Sequence, residues 1–206
     1  RFSIRPLVAA AYHELAVLSI DAAKGAEAFR YAGHAVDAYG PGHVRLPALA
    51  HDFAVFLMGE GHHDQALRTF RAFPHNYGGP SERLALAVST ARAAGAVRDV
   101  ATFEKAWEDA HSLLSSSSAS FHAVTALMGL AEGAAWLGRL DVAIETASSA
   151  RALARTAGEF ARENEAQALL QSLSMRAPEA TATVPPPAYV EEVVGRFETA
   201  LLAAGA

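Results

Sequence analysis

A pattern of alanine and glycine repeats along this chain, and it restricts the fold more than any other feature. Around Gly61 the order is Ala50, Phe53, Ala54 and Leu57, then Ala66, Phe70 and Phe73. Around Gly138 the same spacing gives Leu127, Leu130, Ala131 and Ala134, then Ala143, Ala147 and Ala150. A copy near the start has Tyr12, Leu15, Ala16 and Ser19, then Ala28, Ala32 and Ala35. A looser copy has Ala87, Ala91 and Ala94, then Phe103, Trp107 and Ala110, and is read with one extra residue in its turn. The last positions of the copies are Ala35, Phe73, Ala110 and Ala150, so the steps are 38, 37 and 40 residues. Apolar residues three and four apart lie on one face of a helix. A pair of helices cannot cover such a face alone, so neighbouring copies must stack. Where their backbones meet, only small residues fit, which is the physical reason for alanine at 66 and 143.

Read from end to end, the chain predicts helices over 5–20, 24–39, 44–58, 63–73, 81–95, 98–114, 120–137, 140–156 and 159–174, with no alternating strand pattern. The first is an amphipathic helix carrying Leu7, Val8, Ala11, Leu15 and Leu18. Gly40-Pro41-Gly42, Gly59, Gly61 and Pro74 mark helix ends, and the serine run 115–118 reads as a linker or cap. The chain divides into a helical domain over 1–175, a proline-rich linker over 176–187, and a final amphipathic helix over 188–206. That helix places Val190, Val193, Val194, Phe197 and Leu201 on one face and Glu191, Glu192, Arg196 and Glu198 on the other. So apolar a face must be covered. It caps the end of the helical domain, folds back into a groove, or docks on another copy of the chain.

Composition removes several functions. The net charge of −5, with 17 Lys and Arg in no dense run, argues against nucleic-acid binding by this segment. The absence of cysteine excludes disulfides, thiolate catalysis and cysteine-ligated zinc, and is compatible with a reducing cytoplasm. No run of about 18 uncharged apolar residues exists to span a membrane. The first residue is Arg1, so the sequence reads as a fragment of a longer protein or a processed product. Nine histidines invite a metal or acid–base reading, with His62-His63-Asp64 the densest group. Adjacent helical residues diverge, however, and no HExxH motif exists. The serine run lacks a base, and Gly78-Gly79 lacks the lysine of a phosphate loop. No catalytic residue, metal or cofactor is expected, so the chain reads as no enzyme.

The segments LMGEGHHDQALRTF and AAWLGRLDVAIETA resemble the turn of tetratricopeptide repeats, with Asp64 and Asp141 ahead of Ala66 and Ala143. The resemblance covers about residues 7–157 in four copies. It implies an all-α fold: a right-handed α-solenoid of about four antiparallel helix pairs plus extra C-terminal helices. The steps exceed the family's usual spacing of about 34 residues, and the proline that closes each repeat is missing. Longer, alanine-rich copies are similar to the sensor solenoids of bacterial transcriptional regulators. That implies the sensor or regulatory part of a larger protein, the alternatives being an assembly adaptor or an accessory domain that positions a neighbouring enzyme. In the family, the first helix of each pair lines a concave groove. Carried over, this nominates His13, Val17 and Ile20, then His51, Val55 and Met58, then Val88 and Arg92, then Met128, Glu132, Ala135 and the adjacent Trp136. The groove so drawn is mainly apolar and lacks the lysine and asparagine clamp of chaperone adaptors. Its partner should be a protein or peptide with an apolar or amphipathic face.

Overall fold

The computed structural model describes residues 4–22, 24–115, 122–175 and 185–205. Those residues form ten helices and no strand. In chain order they are α1 (Arg5–Asp21), α2 (Gly25–Tyr39), α3 (Leu46–Gly59), α4 (His63–Arg71), α5 (Pro80–Ala96), α6 (Val100–Ser115), α7 (Ala123–Trp136), α8 (Leu140–Ala157), α9 (Phe160–Met175) and α10 (Ala188–Gly205). The fold is all-α, and the helices start and stop within a few residues of the expected places. No helix among the described residues is long and apolar enough to cross a membrane. Most of the linker expected over 176–187 lies outside the described residues, as do residues 116–118 of the serine run.

One turn recurs four times. Lys24 N–H donates to Ser19 O (2.8 Å), His62 to Leu57 O (2.8 Å), Asp99 to Ala94 O (2.9 Å) and Arg139 to Ala134 O (2.9 Å). Each bond closes a helix back onto a carbonyl five residues earlier and satisfies an acceptor that the helix end leaves open. In the last three of these turns the residue just before the donor is left-handed. Gly61 (φ 82°) and Gly138 (φ 89°) supply it without steric cost. In the α5–α6 turn the same place is filled by Arg98 at φ 59°, the one non-glycine with positive φ among the described residues. This corrects the sequence reading: the looser copy has no extra residue in its turn, only an arginine where its neighbours have glycine.

The helices fall into two compact units, Arg1–Tyr77 with Thr183–Ala206, and Gly78–Ala182. In the second, α5 packs on α6 and α7, α7 on α8, and α8 on α9. The α5–α7 contact is close enough to need glycine. A Cβ added at Gly95 would lie 2.1 Å from Gly133 O, and one added at Gly133 would lie 3.0 Å from Ala91 O. Leu84, Ala91, Ala94, Phe103, Leu130, Ala131, Ala134, Ala143, Ala147 and Ala150 are buried. Trp107, at an expected core position, is only half-buried. It lies against Phe103 and His111, and Phe103 is the aromatic that fills the interior.

In the first unit, α1 packs on α2 and α3 on α4, while the two pairs touch each other sparingly. The space is filled by α10, which lies against α2, α3 and α4. Ala28, Ala32, Ala35, Ala50, Ala54 and Ala66 are wholly buried. The α1 helix departs from its sequence reading. Its buried residues are Ala9, Ala16 and Ser19, whereas Leu7, Val8, Ala11, Leu15 and Leu18 are exposed. Small residues let α1 approach α2 closely, and the larger apolar stripe is left facing outward.

Candidate functional site

The seat of α10 is the most elaborately built contact in the first unit. Val190, Val193, Val194, Phe197, Ala200 and Leu201 recur at spacings of three and four, and all are buried. Phe197 stacks on Phe53 of α3 with ring centroids 4.9 Å apart, and Phe53 meets Phe29 of α2 edge-on at 5.3 Å. Tyr189 closes the row against Phe29 at 5.2 Å. Gly33 of α2 lies beneath α10, where an added Cβ would be 3.4 Å from Val193 Cγ2. An added Cβ there would sit in ordinary van der Waals contact with the docked helix.

Charges fix the register of that helix. Arg68 of α4 donates through Nε and Nη2 to Glu198 Oε1 and Oε2 (3.0 and 2.7 Å) and through Nη1 to Glu191 Oε2 (2.7 Å). Gln65 Nε2 donates to the other oxygen of Glu191 (2.7 Å). One guanidinium thus spans two carboxylates seven residues apart, and its planar fork can bind one of them in two places at once. The hydrogen bonds from Gln65 and Arg68 hold the Glu191 carboxyl below its ordinary pKa, and Glu198 and Glu191 hold Arg68 more firmly protonated. On the other flank, Arg196 Nη1 donates to Asp37 Oδ2 (2.7 Å) and Nη2 to Glu192. An open depression of about 540 Å³ beside this flank is lined by Arg5, Asp37, Pro41, Arg196, Thr199 and Ala203, among others.

The residues nominated as groove lining fall into both units. In the first, α1 and α3 bring His13 and His51 onto one carboxylate. His13 Nε2 is 3.6 Å from Asp52 Oδ2 and His51 Nδ1 is 3.9 Å from Asp52 Oδ1. His13 Nδ1 is also 3.4 Å from the Tyr39 hydroxyl. Burial alone would raise the pKa of Asp52, but the two imidazoles outweigh it and bring the carboxyl down to about 2. Val17 is half-buried, Val55 is exposed and Met58 is buried.

In the second unit, Val88 is buried over Gly129, where an added Cβ would lie 2.5 Å from Val88 Cγ1. Met128 packs against Val124, Ala150, Ala154 and Ala166. The two charges of that set form a pair, Arg92 Nη2 to Glu132 Oε2 at 2.8 Å, with the guanidinium 5.7 Å over the Trp136 ring. Val88, Met58 and Met128 thus serve packing, while Arg92, Glu132 and Trp136 form a partly exposed polar patch. Among the described residues no group of three or more His, Cys, Asp or Glu could hold a metal.

No protein-family model, curated protein or solved structure matches the chain. The chemistry of the site therefore carries the functional reading. That site rests on residues the sequence reading passed over, Gln65, Arg68 and Asp52. Two signals stood in the sequence: an acidic pair seven residues apart beside the apolar stripe of α10, and an aspartate directly after His51.

Proposed function

We propose that this chain is a non-catalytic binding module, an α-solenoid of tetratricopeptide type whose helix pairs run antiparallel, and that its first unit binds amphipathic helices. The observation that carries the proposal is the seat of α10. A row of aromatic rings and a glycine receive an apolar stripe, and Arg68 reads two glutamates at its edge. This is helix-in-groove recognition, in which anchors at i, i+3, i+4 and i+7 supply affinity and flanking charges supply register. The recurring turn, with its left-handed residue, supports the stacking of equivalent pairs. The occupant in this chain is its own last helix. A partner would present the same pattern: a helix with valine or a larger residue at those spacings and acids seven residues apart. The alanine-rich copies favour the sensor or regulatory part of a larger protein, the alternatives being an adaptor or an accessory domain.

The test uses the full chain with a protease site inserted within 176–184. After cleavage, a fluorescent peptide spanning 185–205 is equilibrated with the chain until it exchanges with the cleaved α10 fragment, and its anisotropy is followed. Saturable uptake is expected, and a peptide carrying Glu191→Lys and Glu198→Lys should bind at least about tenfold more weakly. A cleaved, folded chain that takes up neither peptide, or both equally, removes the proposal.

A further inference from the structure

The apolar stripe and the charges of α10 carry different information, and only the charges have a direction. Val190, Val194, Phe197 and Leu201 are wholly buried. Their steps of four, three and four residues read the same from either end of the helix. A helix laid in backwards would present the same apolar spacing to α2, α3 and α4. Spacing alone decides which face goes down and leaves the direction open.

The charged edges are not symmetric. At 3.6 residues per turn, Glu191 and Glu198 fall on one side of the stripe and Arg196 on the other. The seat meets them with opposite charges on its two walls. On the α4 wall, Arg68 donates to Glu198 at 3.0 and 2.7 Å and to Glu191 at 2.7 Å. On the α2 wall, Asp37 Oδ2 accepts from Arg196 Nη1 at 2.7 Å. Turning the helix end for end, with its apolar face still down, exchanges its two edges. Reversal about the middle of the stripe moves position 196 by one residue only, so its guanidinium would arrive at the level where Arg68 now spans 191 and 198. Both acids would arrive on the Asp37 wall. Every attraction becomes a repulsion. The side chains of Arg196 and Asp37 are 36 % and 58 % exposed, so their pair adds little attraction by itself. Its weight lies in refusing an acid on that wall.

We propose that the seat is directional: Arg68 and Asp37, on opposite walls, select helices that run as α10 runs and reject the same apolar pattern laid in backwards. This rests on the reading of the first unit as a receiver of amphipathic helices. It adds an element to the partner's pattern, a base five residues after the first acid and on the opposite edge of the stripe.

The test uses the chain cleaved within 176–184 and carrying Pro41→Cys, labelled there with a fluorophore, since the parent has no cysteine. Pro41 is exposed and lines one depression with Ala203, so the label stands by the C-terminal end of the seated helix. Peptides spanning 185–205 carry a short-range nitroxide quencher at one end or the other, about 27 Å apart along the 18-residue helix. They are equilibrated against the cleaved α10 fragment. The parent peptide should quench from its C-terminal label only. A peptide with Glu191→Arg, Arg196→Glu and Glu198→Arg keeps the stripe and exchanges the edges. It should quench from its N-terminal label, with C-terminal quenching at least about tenfold weaker. An exchanged peptide that still quenches from its C-terminus, or a parent peptide that quenches equally from both ends, overturns the inference while helix binding stands. An exchanged peptide that binds in neither direction overturns it as well, because the stripe itself would then carry the direction. Uptake of neither peptide removes the binding reading and the direction with it.

Discussion

Replacing Gly95 by alanine probes the close contact of α5 with α7. The new methyl would sit 2.1 Å from Gly133 O, 2.9 Å from its carbonyl carbon and 3.1 Å from its Cα. All three are backbone atoms, so no rotamer change relieves the clash. Carbon needs about 3.5 Å from such neighbours, so α5 and α7 must separate by roughly 1 Å or more along their contact. Overpacking of this kind costs about 1–3 kcal/mol, and rigid backbone on the far side puts Gly95 at the top of that range. Alanine's better helix propensity returns about 1 kcal/mol. The net loss is about 2 kcal/mol, and for a unit of this size it lowers the melting temperature by on the order of 10 °C. Differential scanning calorimetry is the suitable assay, because two units need not melt together. Gly195→Ala on α10 is the matched control. Nothing lies within 4 Å of its added Cβ, and its φ is not positive. The same chemical change there should stabilise by about 0.5–1 kcal/mol. A Gly95→Ala chain that melts at or above the parent would refute the close-contact reasoning.

Three further expectations follow from particular side chains. Arg98→Gly should raise stability by about 0.5–1 kcal/mol, because it relieves an L residue held at φ 59°; a lower melting temperature contradicts this. The folded pKa of Asp52 lies below its ordinary value, so its contribution is complete above about pH 4 and is lost as pH falls from there toward 2. Its side chain is 52 % exposed, so screening leaves that contribution on the order of 1 kcal/mol. Asp52→Asn should flatten the stability–pH curve in that window, measured by urea unfolding, and an unchanged slope speaks against the histidine contacts. Phe103→Ala should cost about 3–5 kcal/mol, whereas Trp107→Ala should cost less, because only the phenylalanine is wholly inside. Thermal melts that rank the two the other way would show the core to be misassigned.

Local structure was largely legible in the residues. Helix ends follow glycine, proline and the three-and-four spacing, and the turns at Gly61 and Gly138 carry their own signal in the residue that tolerates positive φ. Arg98 performs the same turn without that signal, which is why its copy looked irregular. Periodicity also showed that α1 has an apolar stripe, but a stripe states only what dislikes water and not which helix covers it. The face buried on α2 is marked by Ala9, Ala16 and Ser19, residues too small to stand out in a hydrophobicity pattern. The α10 seat was half visible. Val190, Val193, Phe197 and Leu201 announced a helix that needs cover, whereas Arg68 lies 123 residues from Glu191 and nothing local links them. The equivalence of His13 and His51 was visible in the repeat. That both reach Asp52 depends on how α1 and α3 come together, which spacing alone leaves open.

A charge reversal across the α10 seat is the most direct measurement. In the chain cleaved within 176–184, Arg68→Glu should release the α10 fragment, because two glutamates then face a third carboxylate. Adding Glu191→Arg and Glu198→Arg to that variant restores opposite charges at the same positions. The expected result on gel filtration is that the fragment co-elutes with the parent, separates from the single variant and co-elutes again with the triple variant. A fragment that stays bound after Arg68→Glu, or that is not recovered by the reversal, would contradict recognition of this helix by its apolar stripe and paired acids.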